Sequence, residues 1–284
     1  MKWTGKSQAK SSGYGIFIFL IKYLGLNTAY ALLRLVTLYY LFFSRDSNKA
    51  LIEFFKKAGL RNPGSIRHRY KAFNFFGEAL IDKIAVYSGH GSAIKFDFEN
   101  EKALHTLAEK NQGAILMGAH LGNWEIASQL MHRINAKVYV LMLENEHQQI
   151  KSLIESVTKD KSFEVIPLRE EISMVIKIKQ ALEQGSFICM HADRFLDQTK
   201  SEVKTFLDSP ARFPIGPFML ASKLKYPVCF VYAVKTSRKH YQFSCTEPIL
   251  SDDPGYLLNE YIHLLEKQAI AHPYQWYNFY PYWD

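Results

Sequence analysis

Two side chains able to exchange protons stand five residues apart in the stretch Gly118-Ala119-His120-Leu121-Gly122-Asn123-Trp124-Glu125. A histidine acts as a general base near neutral pH when its second ring nitrogen donates to a carboxylate. Glu125 is a candidate for that carboxylate. A spacing of five is not the four that aligns two residues on one helix face. It works if His120 lies in a loop and Glu125 in the first turn of the next helix. Gly122 then permits the bend and Asn123 caps the helix. No serine or cysteine nucleophile stands at a matching elbow. A His–carboxylate pair without a protein nucleophile suits direct transfer, in which the base takes a proton from a hydroxyl or amine of a bound acceptor. Taken alone the pattern is short, and a histidine satisfied by a nearby backbone group would read the same way.

The flanking sequence supplies the elements that must hold this pair. "GAILMGAH" reads as a strand, and Asn123 to Arg133 as a helix with Trp124, Ile126, Ala127, Leu130 and Met131 apolar. Strands at "AKVYVLML", "FEVIPL", "SFICMHADR", "YPVCFVYAVK" and "HYQFSCTEPIL" are separated by helices at Gln148 to Thr158, Ile172 to Gln184 and Pro217 to Lys225. Gly185 is placed to end the second of these helices. A last helix covers 256 to 271, before the aromatic stretch "HPYQWYNFYPYWD". Continuous apolar strands alternating with helices predict an α/β fold: a mixed, mostly parallel sheet covered by helices. Sites in such sheets form at the carboxyl ends of strands, where His120 and the "HADR" of 191 to 194 both lie. No GxGxxG follows a strand and no Walker A loop is present, so no nucleotide cofactor is indicated. Cys189, Cys229 and Cys245 lack CxxC spacing and read as small hydrophobes rather than a disulfide frame or metal site.

Charge and hydropathy set the first 80 residues apart. They hold 13 Lys or Arg against three acids, Asp46, Glu53 and Glu78, while the remainder has 22 basic and 24 acidic residues. The formal net charge of +8 therefore comes entirely from this region. "GIFIFLIKYLGLNTAYALLRLVTLYYLFF", from Gly15 to Phe43, is apolar but interrupted by Lys22 and Arg34. It lacks a small-residue cleavage site and reads as an uncleaved anchor, either lying in the membrane interface or spanning the bilayer from Leu24 to Phe43. A long helix packed on the protein's own core is the other reading. Ser65 is placed to cap the next helix, whose first turns carry Arg67, His68, Arg69 and Lys71. Cations there oppose the helix dipole, which points to docking of an anionic partner rather than to local stability. The expected division is 1–80, a basic membrane-anchoring helical region, and 81–284, the α/β domain. Nucleic acid is not an expected partner, because the basic residues lie within an apolar anchor region.

"GAHLGNWE" (118 to 125), "HADR" (191 to 194) and "FLDSPARFPIGPFMLASKLKYPV" (206 to 228), in that order and separation, resemble the lipid A biosynthesis acyltransferases, which are related to the glycerolipid acyltransferases. The resemblance covers roughly 15 to 284 and includes the apolar anchor and Pro273, Gln275 and Trp276. It implies a glycerolipid acyltransferase-like fold, and transfer of a fatty acyl chain from an acyl carrier protein thioester to a lipid acceptor at the cytoplasmic face of the inner membrane. His120 then matches the catalytic base and Glu125 its orienting acid. Asn123, Arg169, Asp193 and Arg194 contact substrate, the two arginines stabilising an oxyanion or holding phosphate. No cofactor or metal is implied. The family often carries an aromatic–glycine pair before its Pro-Ala, whereas this chain has Phe206-Leu207-Asp208-Ser209-Pro210-Ala211, with no glycine. Arg194 also stands where many members carry a smaller polar residue. These departures bear on the acceptor, a hydroxyl of a lipid A precursor or else an amino-acid-derived or other membrane lipid. A third reading is a non-catalytic membrane lipid-binding protein, which would have no need of the His120 and Glu125 pair.

Overall fold

Apolar runs too short for helices, bounded by turns, become the strands of one sheet. The computed structural model describes residues 11–130, 133–142, 163–168, 172–195 and 199–283. Strands β2 (Ala114–Gly118), β3 (Val138–Met142), β4 (Glu164–Pro167), β5 (Phe187–His191) and β8 (Val228–Ser237) run parallel to one another. Strand β9 (His240–Cys245) is antiparallel to β8, and β1 (Lys95–Glu99) is parallel to β9. The order across the sheet is β1-β9-β8-β2-β5-β3-β4. The sheet is thus mixed and mostly parallel, as the apolar runs predict. Strand β2 is buried along its whole length because it lies inside the sheet. On β1 the exposure alternates, as expected for an edge.

Helices cover the sheet. Among the described residues these are α5 (Glu101–Glu109), α6 (Trp124–Leu130), α7 (Ile172–Glu183), α8 (Gly216–Leu224) and α9 (Pro254–Ala271). Helix α7 ends at Gly185, whose φ of 75° is the left-handed conformation a helix stop requires. Asp253 caps α9 by accepting from Gly255 N–H at 2.8 Å. The helix expected over Gln148 to Thr158 lies outside the described residues. A β-hairpin that the sequence did not announce, β6 (Ser201–Phe206) and β7 (Ser209–Pro214), turns through Leu207 and Asp208 at φ 50° and 57°. Aspartate is among the residues that take this left-handed conformation most readily, and Asp208 supplies it at the turn.

Among the described residues four helices precede the sheet: α1 (Ser11–Leu24), α2 (Leu26–Phe43), α3 (Arg45–Lys57) and α4 (Ile66–Tyr87). Ser65 caps α4, accepting from Arg67 N–H at 3.3 Å. The division at residue 80 falls inside α4, which continues to Tyr87. Helix α2 is long and apolar enough to cross a membrane by length and composition, yet a third of it is buried within the protein. Leu26, Ala29, Tyr30, Leu33, Thr37 and Leu41 form its inner face. Leu35, Leu38, Tyr39, Phe42 and Phe43 form an exposed apolar stripe on the outer face, at the i, i+3, i+4, i+7 spacing of one helix side.

A buried polar cluster joins these helices to the sheet. Asp82 on α4 accepts hydrogen bonds from the hydroxyls of Tyr30 on α2 and, at 2.6 Å, Tyr241 on β9. Lys235 on β8 lies 2.7 Å from both Asp82 and Glu78. Burial pushes the Asp82 carboxyl above its usual range, and the Lys235 ammonium opposes that shift.

Candidate active site

The register of two neighbouring strands sets the geometry. Gly118 on β2 pairs with His191 on β5, so His120 and Asp193 each stand two residues beyond the same rung of a parallel ladder. His120 Nδ1 lies 2.8 Å from Asp193 Oδ1, and the His120 backbone N–H donates to Oδ2 at 3.0 Å. Trp276 Nε1–H also donates to Oδ2, at 3.3 Å, and the Tyr282 hydroxyl donates to the Asp193 carbonyl at 2.8 Å. Asp193 is 1% exposed. Burial alone would raise its carboxyl, but the His120 ring and its hydrogen bond, with Arg194 beyond, outweigh that and hold it well below the usual range.

The described contacts give His120 and Glu125 different partners. The sequence pairs the Glu125 carboxylate with His120. In the fold the hydrogen bond at His120 Nδ1 is made by Asp193, while Glu125 forms a 2.8 Å ion pair with Lys83 of α4. The reason is directional. Glu125 sits in the first turn of α6, on the side covered by α4, where Tyr87 also donates to the Glu125 carbonyl. Asp193 arrives from the adjacent strand and meets the ring directly.

Gly122 and Asn123 shape the loop between. Gly122 has φ 73°, and a Cβ there would stand 2.0 Å from the Ala233 carbonyl oxygen, so both conformation and space require glycine. Asn123 is buried, and its amide donates to the Ala79 carbonyl on α4 at 2.8 Å. Arg194 donates to the Tyr277 carbonyl and lies 5.6 Å from the centre of the Tyr280 ring. Arg169 lies outside the described residues.

The aromatic stretch after α9 completes the site. The Tyr277 N–H donates to the His120 carbonyl at 2.8 Å, and the Gly122 N–H donates to the Gln275 carbonyl at 2.9 Å. The Gln275 side chain in turn bonds both backbone groups of Lys235. Trp276, Tyr282 and Trp283 are buried in the core beneath Asp193. Sequence reasoning quoted Trp276 and His191 within motifs but assigned neither a role in the site. His191 Nδ1 lies 3.4 Å from His120 Nε2, and its ring meets Trp124 edge-on at 4.8 Å.

His120, His191 and Asp193 bring ligand-type atoms within 4.8 Å of one another, as a metal site would. Both Asp193 oxygens are already engaged, by the His120 ring and backbone N–H and by Trp276, so a cation held by Asp193 would compete with those bonds, while His120 Nε2 and His191 Nδ1 face one another.

Fold and site together place a histidine against a buried carboxylate at the strand ends of a mostly parallel α/β sheet. The chain belongs to the bacterial lipid A biosynthesis acyltransferase family, whose model matches residues 70–284. Its activity is therefore acyl transfer of the lipid A or glycerolipid type. Among solved structures the chain is similar to the crystal structure of the 1-acyl-sn-glycerophosphate (LPA) acyltransferase PlsC from Thermotoga maritima. The two share 14% identity over 86% of this chain and 96% of that one, with a TM-score of 0.39. No curated protein matches the sequence.

Proposed function

We propose that the protein moves a fatty acyl chain from an acyl carrier protein thioester to a hydroxyl of a lipid A precursor, at the cytoplasmic face of the inner membrane. The His120–Asp193 pair carries this reading. With Nδ1–H donated to Asp193, Nε2 keeps its lone pair for the acceptor hydroxyl. His120 takes that proton as the oxygen attacks the thioester carbonyl. The tetrahedral oxyanion then collapses, the C–S bond breaks, and the proton passes from His120 to the leaving thiolate. Asp193 orients the ring and stabilises the imidazolium formed on the way. Glu125, fixed by Lys83, acts as the second acid of the site, and Arg169 and Arg194 serve the oxyanion or a substrate phosphate.

Membrane association is supported by the family and by the outer stripe of α2. The polar seam under the inner face of α2, with Tyr30 bound to Asp82, favours a helix lying in the interface over one crossing alone. Arg61, Arg67 and Lys71 are exposed around the start of α4 and form a basic field for an acidic carrier protein. His68 and Arg69 are used internally, bonding Tyr274 and Asn48.

The test is acyl transfer from acyl carrier protein by the full-length enzyme, with lipid profiling of a deletion strain. His120→Ala should abolish transfer while the fold persists, and the deletion should remove one acyl chain from lipid A. Normal turnover by folded His120→Ala, or an intact lipid A beside a missing aminolipid, would overturn the base or the acceptor respectively.

A further inference from the structure

We propose that His191 is a positioning residue for the His120 base: its Nδ1–H caps His120 Nε2 in the resting enzyme and is displaced by the acceptor hydroxyl. The inference rests on the reading of His120 as the base.

Tautomers decide the direction of this bond. His120 gives its Nδ1 proton to Asp193, so its neutral ring has only a lone pair at Nε2. The atom facing that lone pair, at 3.4 Å, is His191 Nδ1, which must therefore carry the proton. Burial keeps His191 neutral, the Arg194 charge adds to this, and the attraction of Asp193 does not reverse it. A neutral ring with Nδ1–H leaves Nε2 unprotonated, so His191 offers one donor and aims it at the base. The groups that act electrostatically on His191 are His120 from the loop after β2 and Asp193 and Arg194 from the loop after β5. Helix α6 presents Trp124 and strand β2 presents Gly118, neither of which titrates.

The length of the bond matters. At 3.4 Å it is weaker than an ordinary hydrogen bond, so an acceptor hydroxyl approaching the partly exposed His120 replaces it at little cost. It stabilises only the neutral ring, because a protonated Nε2 cannot accept. The cap thus keeps the base ready and aimed between turnovers, and it shields the lone pair from water.

The experiment follows the His120 ring against pH by nitrogen NMR in the full-length, detergent-solubilised enzyme, beside the pH dependence of kcat/KM for acyl transfer. His191→Phe keeps a ring against Trp124 and removes the donor. The His120 titration midpoint and the acidic limb of the rate profile should both move to higher pH by about half to one unit. His191→Gln, which retains an N–H donor, should restore both towards their wild-type positions. An unchanged midpoint in His191→Phe overturns the proposal, as does a midpoint that moves only when a chelator is added, since a metal ion would then join the two rings. Should the midpoint shift while the wild-type enzyme transfers no acyl group, the cap stands and the acyl-transfer reading fails. If His191→Phe does not fold, an equal shift in His191→Gln and His191→Leu overturns the proposal, because only Gln can donate.

Discussion

Trp276 and His120 share one carboxylate: the indole N–H of the first and the backbone N–H of the second both donate to Asp193 Oδ2. The acid is therefore a junction between the strand ends and the aromatic segment that follows α9.

Replacing that acid tests both its roles. Asp193→Asn keeps the shape and loses the charge that stabilises the imidazolium, and kcat should fall roughly 10²- to 10⁴-fold. Because the folded carboxyl is held below its unfolded value of about 3.9, ionised Asp193 contributes stability above that pH. The contribution is lost as pH falls through the folded value. Urea midpoints should thus show the wild type losing its advantage over Asp193→Asn progressively as pH drops below about 5.

The Lys83–Glu125 pair is nearly buried, so one partner without the other is the costly state. Lys83→Met should destabilise the protein by about 2 kcal/mol, read as a lower thermal midpoint. Lys83→Met with Glu125→Gln should recover most of that loss. Additive losses in the double variant would show that the two side chains act independently.

The β6–β7 turn holds two non-glycine residues in the left-handed region. Leu207 is tied down, with its side chain in the core and its N–H donated to Glu266 at 2.6 Å. Asp208 is the replaceable one. Asp208→Gly should stabilise the fold by about 0.5–1 kcal/mol, measured by denaturant unfolding.

The outer stripe of α2 gives a separable membrane test. Changing Leu35, Leu38, Phe42 and Phe43 to serine should lower partitioning into anionic liposomes by roughly a hundredfold or more, with circular dichroism unchanged. Persistent binding would assign the membrane contact to another surface.

Much of this arrangement was legible in the sequence, for identifiable reasons. Unbroken apolar runs marked the inner strands, and Gly122 and Gly185 marked a bend and a helix stop that the backbone does require. The hydrogen bond between His120 and Asp193 was not legible. Glu125 is five residues away and Asp193 is 73, and only the Gly118–His191 register, which tertiary pairing creates, shows that the distant acid arrives first. The hairpin was hidden because Leu207-Asp208 lacks the Asn-Gly signature of such turns. The polar seam did leave a trace. Asp82 and Lys83 interrupt the apolar run Ala79-Leu80-Ile81 and Ile84-Ala85, where a core-facing helix has no use for charge unless something across the interface answers it.

The contacts of Tyr277 with His120 and of Trp276 with Asp193 impose an order in time. A ribosome makes the amphipathic helices first, the histidine later, and the segment that locks the histidine long after that. The surroundings of His120 are therefore complete only after this late segment has been made and packed.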